Sequence, residues 1–73
     1  MMKRHVDKQD DKLLTTKQVA EIVQLSPATL VDFRHDSRGP VYQRLGKREI
    51  RYWHSDVLKW LDQVLVPVVP TRL

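Results

Sequence analysis

The chain has 73 residues, 41% of them hydrophobic and 30% charged, with a net charge of +4, which implies one small domain of ordinary globular composition. It contains no cysteine, so disulfide scaffolds and thiolate metal sites are excluded. No apolar run approaches the roughly 20 residues that span a bilayer, and the polar start lacks a signal peptide's apolar stretch, so a cytoplasmic protein without membrane contact is expected.

Residues 1–12 carry four Lys/Arg against three Asp and little apolar material beyond the start and Val6, the composition of a disordered arm. Leu13 and Leu14 lead into Thr15, which with Gln18 three residues later makes a capping-box pattern. Val19, Ala20, Ile22 and Val23 then form an apolar stripe, predicting a helix from about Thr16 to about Val23. Ser26 is a suitable N-cap and Pro27 a suitable first residue for a second helix. Its buried side is formed by Leu30 and Phe33, and it fades near Asp36 before the breaker cluster Ser37-Arg38-Gly39-Pro40.

Residues 42–52 place two short runs carrying apolar residues around a Gly-Lys-Arg turn, which predicts a β-hairpin with a basic tip. Between residues 41 and 54 lie Arg44, Lys47, Arg48 and Arg51 against Glu49 alone, so three of the four net positive charges sit here. Such a protrusion suits the phosphate backbone of a nucleic acid; the alternative is an ordinary solvated face. Ser55-Asp56 is the expected cap of a third helix, with Val57, Trp60, Leu61 and Val64 on one stripe. Pro67 and Pro70 stop that helix. The apolar run Leu65-Val66-Pro67-Val68-Val69-Pro70 either packs back on the domain or serves as a sticky partner segment. The expected organisation is an arm at 1–12, a folded domain at 13–66 and a tail at 67–73.

Phe33, Trp60, Leu30 and Leu61 are expected in the core, while Trp53 suits either packing under the hairpin or partial exposure. His5, His35 and His54 lie far apart and lack partners at ligand spacing, so no metal site is expected. No Ser/His/Asp set and no Gly-rich phosphate loop occurs, and neither catalysis nor a cofactor is expected.

Two short helices joined by a tight turn and followed by a hairpin predict a mainly α fold with a small two-stranded β wing, a winged helix-turn-helix. The blocks Leu14–Ile22, Leu25–Leu30, Gly39-Pro40, Leu45–Arg48, Arg51-Tyr52 and Ser55–Leu61 follow one another in a recognisable order. Over about residues 13–62 the chain resembles the small MerR-like winged helix-turn-helix family that includes excisionases and AlpA-type regulators of phages and integrated elements.

The resemblance implies binding to double-stranded DNA, with the second helix reading bases and the wing touching backbone or minor groove. Pro27, Ala28, Val31, Asp32, Arg34 and His35 would face outward, with Thr29 at the edge. Arg34 would donate to a guanine edge, Asp32 accept from a cytosine amine, and Ala28 and Val31 meet a thymine methyl. Arg44, Lys47, Arg48 and Arg51 would neutralise phosphates or enter the minor groove. Two departures stand out: Gln24 occupies a turn position where glycine is usual, and Asp32 and Asp36 make the second helix less basic.

The resemblance also implies an excisionase, or recombination directionality factor, that bends DNA near attachment sites and assists an integrase in a bacterial or phage setting. Cooperative self-association on DNA and the absence of a small-molecule effector are expected with it. The alternative is an AlpA-type promoter regulator, and a remoter one is a protein-interaction module using the apolar tail.

Overall fold

The computed structural model describes residues 10–70. In chain order it contains β1 (Leu13–Leu14), α1 (Thr16–Val23), α2 (Pro27–His35), β2 (Gln43–Arg44), β3 (Ile50–Trp53) and α3 (His54–Val64). Residues 1–9 of the expected arm lie outside the described residues.

The local signals for α1 and α2 act as chemistry requires. Thr15 Oγ1 accepts from the Gln18 N–H at 3.1 Å, and Gln18 Oε1 accepts from the Thr15 N–H at 2.9 Å. This reciprocal pair satisfies donors that the first turn leaves without intrahelical partners. Gln24 closes α1 in the left-handed conformation, φ 61° and ψ 42°, and the Leu25 N–H reaches back to the Ala20 carbonyl at 3.0 Å. Ser26 then caps α2, its Oγ accepting from the Thr29 N–H at 3.1 Å, with Pro27 in the first turn.

At the far end of α2, Ser37 is also left-handed, with φ 57°. The Ser37 N–H bonds the Arg34 carbonyl at 3.2 Å and the Arg38 N–H the Phe33 carbonyl at 2.7 Å. Those two bonds are a Schellman closure. Gly39 follows at φ +88°, where an added Cβ would stand 3.1 Å from Phe33 Cβ.

The sheet is antiparallel, in the order β1-β3-β2: β2 and β3 form the expected two-stranded wing, and β1 adds a third strand on the other edge of β3. Leu13 lies opposite Trp53 and Leu14 opposite Tyr52, while Gln43 and Arg44 face Arg51 and Ile50 across the wing. Periodicity could not reveal β1, because two residues have no period and the strand exists only through its pairing with β3.

The third helix also differs from expectation. It begins at His54, with Trp53 at the N-cap, and Ser55 and Asp56 lie inside its first turn rather than capping it. The β1–β3 ladder explains the shift. It carries Lys12 and Asp11 to the start of α3, where the Lys12 carbonyl accepts from the His54 N–H at 2.8 Å and Asp11 accepts from the Ser55 N–H at 3.0 Å. Asp11 and Lys12, expected in a disordered arm, are therefore tied to the domain.

The core comprises Leu14, Val19, Ala20, Leu30, Tyr52 and Val57, with Val23, Phe33, Tyr42 and Ile50 packed against it. Fully burying a side chain such as Val19, Leu30 or Val57 contributes on the order of 1.5–3 kcal/mol. Trp60 and Leu61 stay half-buried outside this cluster, contrary to expectation, and Val64 and Ile22 are 46% and 40% exposed. Trp60 instead meets Phe33 edge-on, with ring centroids 6.1 Å apart. Trp53 is half-buried at the end of β3. From Leu65 to Pro70 the chain is exposed and has no regular structure. Of the two expectations for this run, packing back on the domain is not what the described residues do.

Candidate nucleic-acid interface

The wing is a narrow ribbon whose five-residue loop, Leu45–Glu49, is pinned by the Leu45 N–H bonding the Glu49 carbonyl at 2.7 Å. Two of its four cations are partly committed within the ribbon. Arg44 Nη1 donates to the Lys47 carbonyl at 3.2 Å. Arg51, half-buried, donates to the Ile50 carbonyl at 2.8 Å and approaches Glu49 at 3.4 Å. Lys47 and Arg48 are exposed at the tip and have no acidic partner among the described residues.

The expected outward residues of α2 divide into two groups. Pro27, Ala28, Asp32 and His35 are exposed, whereas Thr29, Val31 and Arg34 are half-buried. Thr29 is drawn into the cap, with its hydroxyl 2.9 Å from that of Ser26. Arg34 departs furthest from its expected outward pose. Its Nη1 donates to Tyr52 Oη at 2.7 Å and to Thr16 Oγ1 at 3.2 Å, and the guanidinium carbon lies 5.6 Å from the centroid of the Tyr42 ring. A phenol oxygen and a threonine hydroxyl stand within reach inside the fold, so the guanidinium satisfies donors there.

Between the C-terminal end of α2 and the wing lies a cleft of about 440 Å³ lined by Arg34, His35, Tyr42, Arg44, Lys47, Arg48 and Ile50. Four cations line it, and no carboxylate does among the described residues. That electrostatic arrangement attracts an anionic backbone and is neutralised by it. Pro27, Ala28 and Asp32 do not line the cleft, so the exposed first half of α2 and the cleft are separate parts of one surface.

Sequence reasoning identified the cleft's cations but not Tyr42 or Ile50, which form its apolar wall. It also missed Tyr52 and Thr16, which hold Arg34. Alternation along β3 assigns Tyr52 to the face opposite Arg51, but nothing local says what its hydroxyl meets. Arg38, a further cation near α2, stacks on Phe33 with its guanidinium carbon 4.3 Å from the ring centroid, and lies 3.7 Å from Asp36.

Among the described residues, no group of three His, Asp or Glu side chains is placed to hold a metal ion. No helix among them is long and apolar enough to cross a membrane.

A family model for the helix-turn-helix domain matches residues 13–64. No curated protein and no solved structure matches the chain.

Proposed function

Because the chain belongs to the helix-turn-helix domain family, which includes excisionase and AlpA-type regulators, and is thereby a DNA-binding regulator, we propose an excisionase-like architectural role. The protein binds duplex DNA sequence-selectively near attachment sites, bends it and promotes excision by an integrase. Its setting is the nucleoid of a bacterium or phage-infected cell.

The cleft between α2 and the wing, lined by four cations and by no carboxylate among the described residues, is the observation that carries this reading. It favours backbone contact by the wing through Arg44, Lys47 and Arg48, with Arg51 joining them from outside the cleft. Base contact falls to the exposed positions of α2: Pro27, Ala28, Asp32 and His35, with Thr29 and Val31 at the margin. With Arg34 engaged inside the protein, Asp32 and His35 are the polar side chains left exposed on that helix. So small a set reads few base edges, and the remaining selectivity has to come from how readily a site deforms. A protein that selects by deformability is suited to architecture. The exposed apolar tail, with Val66 74%, Val68 86% and Val69 81% exposed, supports cooperative loading of neighbouring copies and contact with the integrase.

A smooth bend of 40–90° over a 20–30 base-pair site costs on the order of 1–6 kcal/mol, which several bound copies share through their phosphate contacts. Circular-permutation gel shifts on a fragment carrying the natural site should show bending that grows as copies load. The same protein should stimulate excision by its integrase. Straight DNA at saturation together with unstimulated excision would instead leave a promoter regulator of the AlpA type.

A further inference from the structure

Arg34 stands in the helix expected to read bases, yet its bonds run into the protein. The residues it joins belong to different segments: Tyr52 to the central strand β3, Thr16 to the first turn of α1, and Tyr42 to the approach to β2. Tyr42 and Tyr52 are themselves in contact, with ring centroids 6.1 Å apart.

We propose that Arg34 is a positioning residue that locks α2 to the wing, so that DNA meets helix and wing as one preformed surface. This rests on the reading that both elements engage the same duplex. The lock adds directional bonds to an attachment that is otherwise hydrophobic, made by Leu30 and Phe33 of α2 and by Ile50 and Tyr52 of β3. No backbone hydrogen bond joins α2 to either wing strand among the described residues. α2 has nine residues, of which Leu30 is the buried one, and β2 has two residues. Surfaces that must bind together lose affinity when each is ordered separately at the moment of binding, and a fixed relative pose removes that penalty.

The guanidinium suits this task better than an ammonium. It is planar, so it donates in fixed directions to Tyr52 and Thr16 while lying over the Tyr42 ring. Tyr52 is 1% exposed, so its hydroxyl cannot touch DNA. Removing that hydroxyl therefore reports on the lock alone.

The test uses the full-length protein and a duplex that the wild type selects from a randomised pool. Affinity is measured across a salt series for Tyr52→Phe, Arg34→Ala and the double variant, with circular-dichroism melts showing each folded at the assay temperature. The lock predicts that Tyr52→Phe weakens binding by about fivefold, the equivalent of one hydrogen bond. It predicts that the double variant binds about as well as Arg34→Ala alone, and that the slope of log K against log salt is unchanged in Tyr52→Phe, which removes no charge.

A direct DNA contact by Arg34 predicts the reverse. Tyr52→Phe would bind like the wild type, the double variant would show the product of the single effects, and a phosphate contact would lower the slope by about 0.9 in Arg34→Ala. That pattern overturns the proposal. Should Tyr52→Phe not fold, Thr16→Val takes its place in the same cycle. If the wild type enriches no sequence, the sequence-selective reading falls, while the cycle measured on a random duplex still decides the lock.

Discussion

Asp11 accepts two hydrogen bonds from Ser55, a residue 44 positions along the chain, one from its N–H at 3.0 Å and one from its hydroxyl at 2.5 Å. An aspartate at a helix N-terminus ordinarily caps from the N-cap position itself. Here that position is Trp53, whose indole offers no acceptor, and the carboxylate comes from the segment just before β1. Its negative charge also faces the positive end of the helix dipole. Replacing Asp11 by Ala should destabilise the domain by about 1 kcal/mol, which in a domain this small lowers the melting midpoint by roughly 4–8 °C. Asp11→Asn, which keeps one acceptor, should be milder. A melt of Asp11→Ala indistinguishable from the wild type would mean that the interaction is worth nothing net in water.

Lys47 and Arg48 should carry electrostatic affinity without specificity. Their replacement by Ala is expected to weaken binding to selected and random duplexes alike. It should also flatten the dependence of log K on log salt by about 0.9 for each phosphate that is no longer neutralised. Fluorescence anisotropy at several salt concentrations measures both quantities, and an unaltered slope would exclude the wing tip from the phosphate-binding surface.

Gln24 holds φ 61° and ψ 42°, a conformation that disfavours a Cβ and above all a branched one. Gln24→Gly should therefore raise stability by up to about 1 kcal/mol, less the extra freedom glycine has in the unfolded chain. Gln24→Val should lower it. Opposite shifts of the two urea midpoints are the expected signature, and shifts of the same sign would contradict the left-handed turn.

Gly39 combines φ +88° with a packed neighbour, since a Cβ there would lie 3.1 Å from Phe33 Cβ and 3.3 Å from its Cδ2. Gly39→Ala should destabilise by about 1–3 kcal/mol, the range for a side chain forced into a sparsely populated backbone region. The near-ultraviolet dichroism of Trp60, which packs edge-on to Phe33, should change with it. An unperturbed spectrum and an unchanged midpoint would show that the loop moves aside without strain.

The features legible in the chain itself are those whose physics is local. The capping box of Thr15 and Gln18, the Ser26-Pro27 start of α2 and the breaker run after Asp36 are each settled within four or five residues, and all three stand where those residues put them. The basic wing was legible for the same reason, because charge is a property of composition and Lys47 and Arg48 needed no partner to be recognised. The remaining features depend on the assembled fold. The two residues of β1 have no periodicity of their own and become a strand only against β3. Asp11 looks like part of a polar arm until that pairing delivers it to α3. Arg34 has the spacing of an outward helical residue, yet its guanidinium turns inward because Tyr52, 18 positions away, and Thr16, 18 positions away in the other direction, stand within bonding reach. A long flexible side chain takes its direction from whatever acceptors the assembled fold brings near, and no local pattern encodes that.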